Sequence, residues 1–242
     1  MPETNFAPTV VLVHGAFADA GSWAPVTERL LEAGAKVQAL VNPLRSLPGD
    51  SAYVASAIAQ IPGPVLAVGH SYGGAAITNA ATTAPNVVGL VFVAGFAPDE
   101  GETLAEIEGT SRDSALGPAL LTAQYPAGPD GATATELYVN PVSFREVFAG
   151  DLPEAQAAVL AASQRPVAAA AFEEKSGAPG WKKLPSWAVV ATGDKAAGAD
   201  VVLMMAKRAN ADIVEVEGSH LIMISQPEAV TDVILGALRS VG

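Results

Sequence analysis

Ser71 lies in Gly69-His70-Ser71-Tyr72-Gly73, a Gly-x-Ser-x-Gly pentapeptide whose chemistry is attack by a serine hydroxyl. The apolar run Pro64–Val68 precedes it and a stretch of helical spacing, Tyr72–Ala84, follows it. Those flanks place the serine on a sharp strand-to-helix turn, where the residues two before and two after must be small. Gly69 and Gly73 meet that need. The plain alternative is a Gly-rich turn with an incidental serine, and the strand and helix on either side favour the nucleophile.

A hydroxyl nucleophile needs a base, and the chain offers three histidines. His70 adjoins Ser71 and is expected to point away from its hydroxyl. His14 ends the first apolar run and is expected to brace the loop that follows. His220 sits in Glu217-Gly218-Ser219-His220, beyond the last strand-like run, where open α/β sheets place their sites. It is the expected general base, against the bland reading of a surface-loop histidine. The carboxylate that orients it should follow the fifth strand, which singles out Asp194; the order Ser71, Asp194, His220 agrees. Asp99, after the fourth strand, competes, and Asp200 competes less because it suits a helix cap.

An oxyanion needs two convergent N–H donors. Tyr72, directly after the nucleophile and at a helix start, supplies one. The other is expected from Ala16, in the loop after the first strand, with Gly15 permitting the tight turn. Phe17, Tyr72 and Leu221 are expected to wall an apolar pocket, and Trp23 to pack a helix against the sheet.

The elements that must position these residues are legible as alternation. Six nearly continuous apolar runs read as strands buried on both faces: Thr9–Val13, Lys36–Val41, Pro64–Val68, Val87–Ala94, Ser186–Ala191 and Asp212–Val216. Helical spacing recurs between them over Ala24–Ala33, Ser51–Ile61, Tyr72–Ala84 and Val201–Ala209, and closes with Pro227–Val241. This alternation predicts a mostly parallel six-stranded sheet with helices on both faces. Residues 99–184 break the rhythm with frequent Pro and Gly. They are expected to form a helical cap inserted into a single domain spanning 1–242, with helices near Leu116–Gln124, Pro141–Phe148, Pro153–Ser163 and Val167–Glu174.

Half of the 242 residues are apolar and 16% are charged, enough for one large core and too apolar for a disordered chain. Thirteen Lys and Arg against 25 Asp and Glu leave a net charge of −12, which disfavours nucleic acid, anionic lipid and polyanionic substrates. The absence of cysteine excludes disulfides, thiolate nucleophiles and Cys-ligated metals. Three histidines make a His-rich metal site a poor expectation. Met1–Asn5 does not read as a targeting segment, and no run reaches the roughly 18 apolar residues of a membrane span. A cytoplasmic protein is the expectation.

Val11-Leu12-Val13-His14-Gly15-Ala16 followed by Trp23, with Gly69-His70-Ser71-Tyr72-Gly73-Gly74, resembles the α/β-hydrolase superfamily. More narrowly it is similar to small bacterial esterases and pyrethroid-hydrolase-like proteins, and to the plant methylesterase and hydroxynitrile lyase group. The resemblance covers nearly the whole chain outside the cap. It implies a serine hydrolase without a cofactor, with Ser71, Asp194 and His220 as triad and Ala16 and Tyr72 as oxyanion donors. Two departures bear on the activity. The hydroxynitrile lyases of the group carry lysine after the catalytic histidine and threonine at the position of Gly15, and here the first is Leu221. Dehalogenases and epoxide hydrolases of the superfamily carry aspartate where this chain has Ser71. The expected function is hydrolysis of small to medium apolar carboxylic esters through an acyl-enzyme. A ligand receptor on the same fold, and a cofactor-free perhydrolase or C–C hydrolase, are the rivals.

Overall fold

The computed structural model describes residues 8–242; the expectation drawn from Met1–Asn5 lies outside them. The chain opens with β1 (Thr9–Val13), α1 (Ala24–Glu32), β2 (Lys36–Leu40), α2 (Leu47–Ala59), β3 (Val65–His70), α3 (Tyr72–Ala80) and β4 (Val87–Val93). A middle segment follows: α4 (Leu104–Gly109), α5 (Leu116–Ala119), β5 (Leu120–Pro126), β6 (Thr133–Val139), α6 (Pro141–Phe148), α7 (Glu154–Ser163), β7 (Val167–Ala168) and α8 (Ala170–Glu173). The rhythm then resumes with β8 (Ser186–Ala191), α9 (Ala199–Arg208), β9 (Asp212–Val216), α10 (Ile222–Ser225) and α11 (Pro227–Val241).

Six strands form one sheet in the order β2-β1-β3-β4-β8-β9, every pair parallel. β3 is buried along its whole length and β4 nearly so, which is why their sequences are apolar without alternation. The edge strands β2 and β9 are largely exposed. Both α3 and α11 pack on β3 and β4, α1 packs on α11, and α2 packs on α3. The polar ends of helices are met locally. Ser46 accepts the Gly49 amide ahead of α2, with Pro48 in the first turn, so this helix begins four residues earlier than its apolar spacing suggests.

The middle segment corrects the all-helical expectation. Residues 120–126 form a strand, not the end of a helix, and pair antiparallel with β6, which also pairs with β7. A short apolar run such as Leu120-Leu121-Thr122-Ala123 fits either period. What decides is the turn at Gly128-Pro129-Asp130-Gly131, closed by the Ala127 amide on the Ala132 carbonyl at 2.8 Å, with β-favouring Thr and Tyr on both arms. Val167–Glu174 likewise divides into β7 and α8. This segment is tied to the sheet layer through Arg45 on Glu136 at 2.8 Å and through Glu174, which accepts the Leu47 amide at 2.7 Å.

Candidate active site

Ser71 stands between β3 and α3 with φ 52° and ψ −126°, a left-handed backbone that a non-glycine residue adopts only when its surroundings force it. The Ser71 amide donates to Val93 O at 3.3 Å, and its carbonyl accepts the amides of Gly74 and Phe96 at 2.9 and 3.0 Å. A Cβ on Gly69 would lie 2.5 Å from Gly73 O, and one on Gly73 would run into Val13 O. The turn is therefore built on close backbone approach, which explains both small residues. Gly15 is packed as tightly: its Cβ would sit 2.6 Å from Ser71 Cβ and 2.8 Å from His70 O. The loop after β1 thus lies directly on the serine.

His220 and Asp194 are each 1% exposed, and His220 Nδ1 donates to Asp194 Oδ2 at 2.7 Å. The other oxygen of Asp194 accepts the amides of Ala196 and Ala197 at 2.8 and 3.0 Å, so the carboxylate is held by three donors. The competing carboxylates are engaged elsewhere. Asp99 pairs with Lys182 at the surface. Asp200 accepts from Ser111 Oγ at 2.5 Å and the Arg112 amide at 2.9 Å; the N-cap of α9 is Gly198, so Asp200 ties down the cap rather than starting the helix.

The amides of Ala16 and Tyr72 have no hydrogen-bond partner among the described residues, although both residues are buried. Buried N–H groups are normally satisfied; these two belong to the residue after Ser71 and to the loop whose Gly15 packs on Ser71. His14 holds the Ala16 peptide in place. Its Nδ1 donates to Gly15 O at 2.9 Å while Nε2 accepts the Asn42 amide at 2.9 Å, fixing one neutral tautomer. Gly15 O and the Ala16 amide belong to the same peptide plane, so fixing one aims the other. Burial first, with the Arg165 cation adding to it against the Gly15 hydrogen bond, lowers the His14 pKa to about 4.

His70 is fully buried. Its Nε2 donates to the His220 carbonyl at 3.0 Å, and its ring lies 4.7 Å from that of His220. Burial, then the neighbouring His220, holds His70 well below the ordinary imidazole range. Tyr72 departs from its expected place on the pocket wall. Its hydroxyl donates to Asp50 at 2.7 Å and its ring lies against Phe172. Burial, then the Asp50 carboxylate, pushes the Tyr72 phenol up, and burial likewise raises the carboxyl of Asp50. Trp23 is wholly buried and meets His70 edge-on.

Phe17 and Leu221 do share a cavity. Phe144 and Leu160 of the middle segment close it, Asp19 lies at its wall, and it holds about 20 Å³, room for a single water. Ser71 is only 6% exposed. A larger groove of about 770 Å³ runs between α6, α7 and Lys195, and neither Ser71, Asp194 nor His220 lines it. Sequence reasoning missed Asp50, Asn42 and Asp151, all polar groups that hold the functional loops. They share no motif, and their partners are distant in sequence. Among the described residues no three His, Asp or Glu side chains gather as a metal site, and no helix is long and apolar enough to cross a membrane.

A six-stranded parallel sheet with a nucleophile elbow after its third strand defines an α/β-hydrolase fold. The chain belongs to the Alpha/beta hydrolase family, whose sequence model matches residues 10–233. Among solved structures it is similar to polyneuridine aldehyde esterase, at 21% identity and TM-score 0.80, covering 96% of this chain and 99% of that one. Tomato methylketone synthase I shares 22% identity at TM-score 0.79, over 98% of this chain and 100% of the other. The pyrethroid hydrolase PytH shares 21% at TM-score 0.76, over 96% and 98%. At these identities the likeness is one of fold. No curated protein matches the chain by sequence.

Proposed function

We propose that the chain is a serine hydrolase that cleaves small to medium apolar carboxylic esters through an acyl-enzyme. The observation that carries this reading is the buried His220–Asp194 pair at 2.7 Å, in a chain whose strand-to-helix turn holds Ser71 at φ 52° and whose Ala16 and Tyr72 amides have no partner among the described residues. With Nδ1 committed to Asp194, His220 takes the Ser71 proton on Nε2 as the hydroxyl attacks the ester carbonyl. The Ala16 and Tyr72 amides stabilise the oxyanion, and His220 then protonates the leaving alcohol. Water repeats the sequence on the acyl-enzyme and releases the acid. Fold neighbours that are esterases and hydrolases support the reading.

The apolar class of the ester is read from Phe17 and Leu221, which flank Ala16 and His220 in sequence and share an apolar cavity with Phe144 and Leu160, while the −12 net charge opposes anionic substrates.

Wild type is expected to hydrolyse p-nitrophenyl acetate or butyrate and to label with a fluorophosphonate probe, and Ser71→Ala to do neither while remaining folded by circular dichroism. Equal labelling of the two proteins would put the nucleophile elsewhere. A wild type that binds such esters without turning them over would point to a receptor.

A further inference from the structure

Asp151 lies on the exposed turn between α6 and α7, outside every motif of the sequence, yet its carboxylate is engaged by the loop that carries His220. Oδ2 accepts the Ser219 amide at 3.0 Å, and Oδ1 accepts the Ser219 hydroxyl. At the end of α6, three residues before Asp151, the Phe148 carbonyl accepts the Leu221 amide at 3.3 Å, and the Phe148 ring meets the His220 ring at 4.7 Å. The residues immediately before and after His220 are thus both bonded to the short stretch 148–151 at the end of α6. Gly218 allows this approach, since a Cβ there would stand 2.9 Å from Asp151 Oδ2 and collide with Ile222. Partial burial opposes ionisation of Asp151, but the Ser219 hydrogen bonds hold its carboxyl below the ordinary range.

A base on an irregular loop needs its backbone fixed as well as its ring. The hydrogen bond to Asp194 sets the tilt of the imidazole, and His70 holds the His220 carbonyl from the sheet side. Neither restrains the chain ahead of His220. Asp151 does, through both donors of Ser219.

We propose that Asp151 is a positioning residue: through Ser219 it seats the His220 backbone, so that placement of the base depends on the cap being docked. This rests on His220 acting as the base in the function proposed above.

The test uses the full chain with p-nitrophenyl butyrate, comparing wild type, Asp151→Ala, Asp151→Asn, Ser219→Ala and Ser71→Ala. Asp151→Ala is expected to lower kcat by about ten- to a hundredfold with KM within about twofold, the effect of a misplaced catalytic group. Asparagine keeps an acceptor for the amide and gains a donor for the hydroxyl, so Asp151→Asn is expected to stay within about threefold of wild type. Ser219→Ala, which loses only the hydroxyl bond, should fall between. Wild-type kcat in Asp151→Ala overturns the proposal. So does a loss that appears mainly in KM, or one that asparagine does not restore. If Asp151→Ala does not fold, Ser219→Ala decides, and wild-type kcat there is equally fatal. Ser71→Ala keeps the two readings apart. Turnover that persists in Ser71→Ala refutes the serine mechanism and the positioning role with it. Turnover lost there but untouched in Asp151→Ala refutes only the role of Asp151.

Discussion

At the scale of single residues, the site depends on which hydrogen bond each polar group makes. Asp194 accepts from His220 Nδ1 and from two backbone amides, so it cannot rotate away without losing bonds. Replacing it by asparagine preserves shape but presents the wrong hydrogen-bond pattern to the imidazole. Asp194→Asn is therefore expected to lower kcat by about 10³-fold or more, in line with the serine-protease precedent. Asp99, held by Lys182 at the surface, and Asp200, held by Ser111 and Arg112, should each tolerate the same change with less than about a tenfold loss, roughly 1.4 kcal/mol. Assays of the three folded variants on one ester decide it. A large loss at Asp99 with a small one at Asp194 would move the acid to the end of β4.

Elements matter here through how closely they approach. β1, β3 and α3 meet with so little space that Gly15, Gly69 and Gly73 face backbone or Ser71 itself. The loop after β1 carries the Ala16 amide, and its register against the elbow is set by that contact and by His14 and Asn42. Gly15→Ala must push Ser71 and this loop apart. It is expected to lower kcat by about 10²- to 10³-fold, the worth of one oxyanion donor, while the fold survives because the strain falls on a loop. The melting curve and the kinetics of Gly15→Ala check both halves of this statement. Wild-type kcat in the variant would show that the loop does not contribute a donor.

For the whole molecule, the middle segment is fastened to the sheet layer by Arg45–Glu136, Glu174, Asp200 and Asp151. The interior holds His14 and His70, whose burial favours the neutral form and ties stability to pH. His14 binds its proton near 6.5 when unfolded and near 4 when folded. The folded state thus disfavours protonation, so its stability is intact above about 6.5 and declines as pH falls toward 4. The shift amounts to about 3 kcal/mol from this one group. Urea unfolding at pH 7 and pH 4 should show the drop, and His14→Gln should show a smaller one. Identical pH slopes for the two proteins would mean that His14 does not carry the effect.

Much of this architecture is written in local patterns. Six apolar runs alternating with helical spacing specify a parallel sheet because a strand covered on both faces has no polar side to show. Gly69, Ser71 and Gly73 mark the elbow because only small residues allow strand and helix to come so close. The family follows from the same stretches. Tertiary structure decided the rest, where sequence period is short or partners are distant. Leu120–Pro126 became a strand only because Thr133–Val139 returned beside it. Tyr72 left the pocket wall because Asp50, on a neighbouring helix, offered its hydroxyl a buried acceptor. Asp194 rather than Asp99 met His220 because the ends of β8 and β9 carry their loops to the same place, whereas Lys182 holds Asp99 at the surface. A hydrogen bond between residues 68 positions apart, such as that of Asp151 with Ser219, leaves no local period. It exists only once the cap has folded onto the sheet.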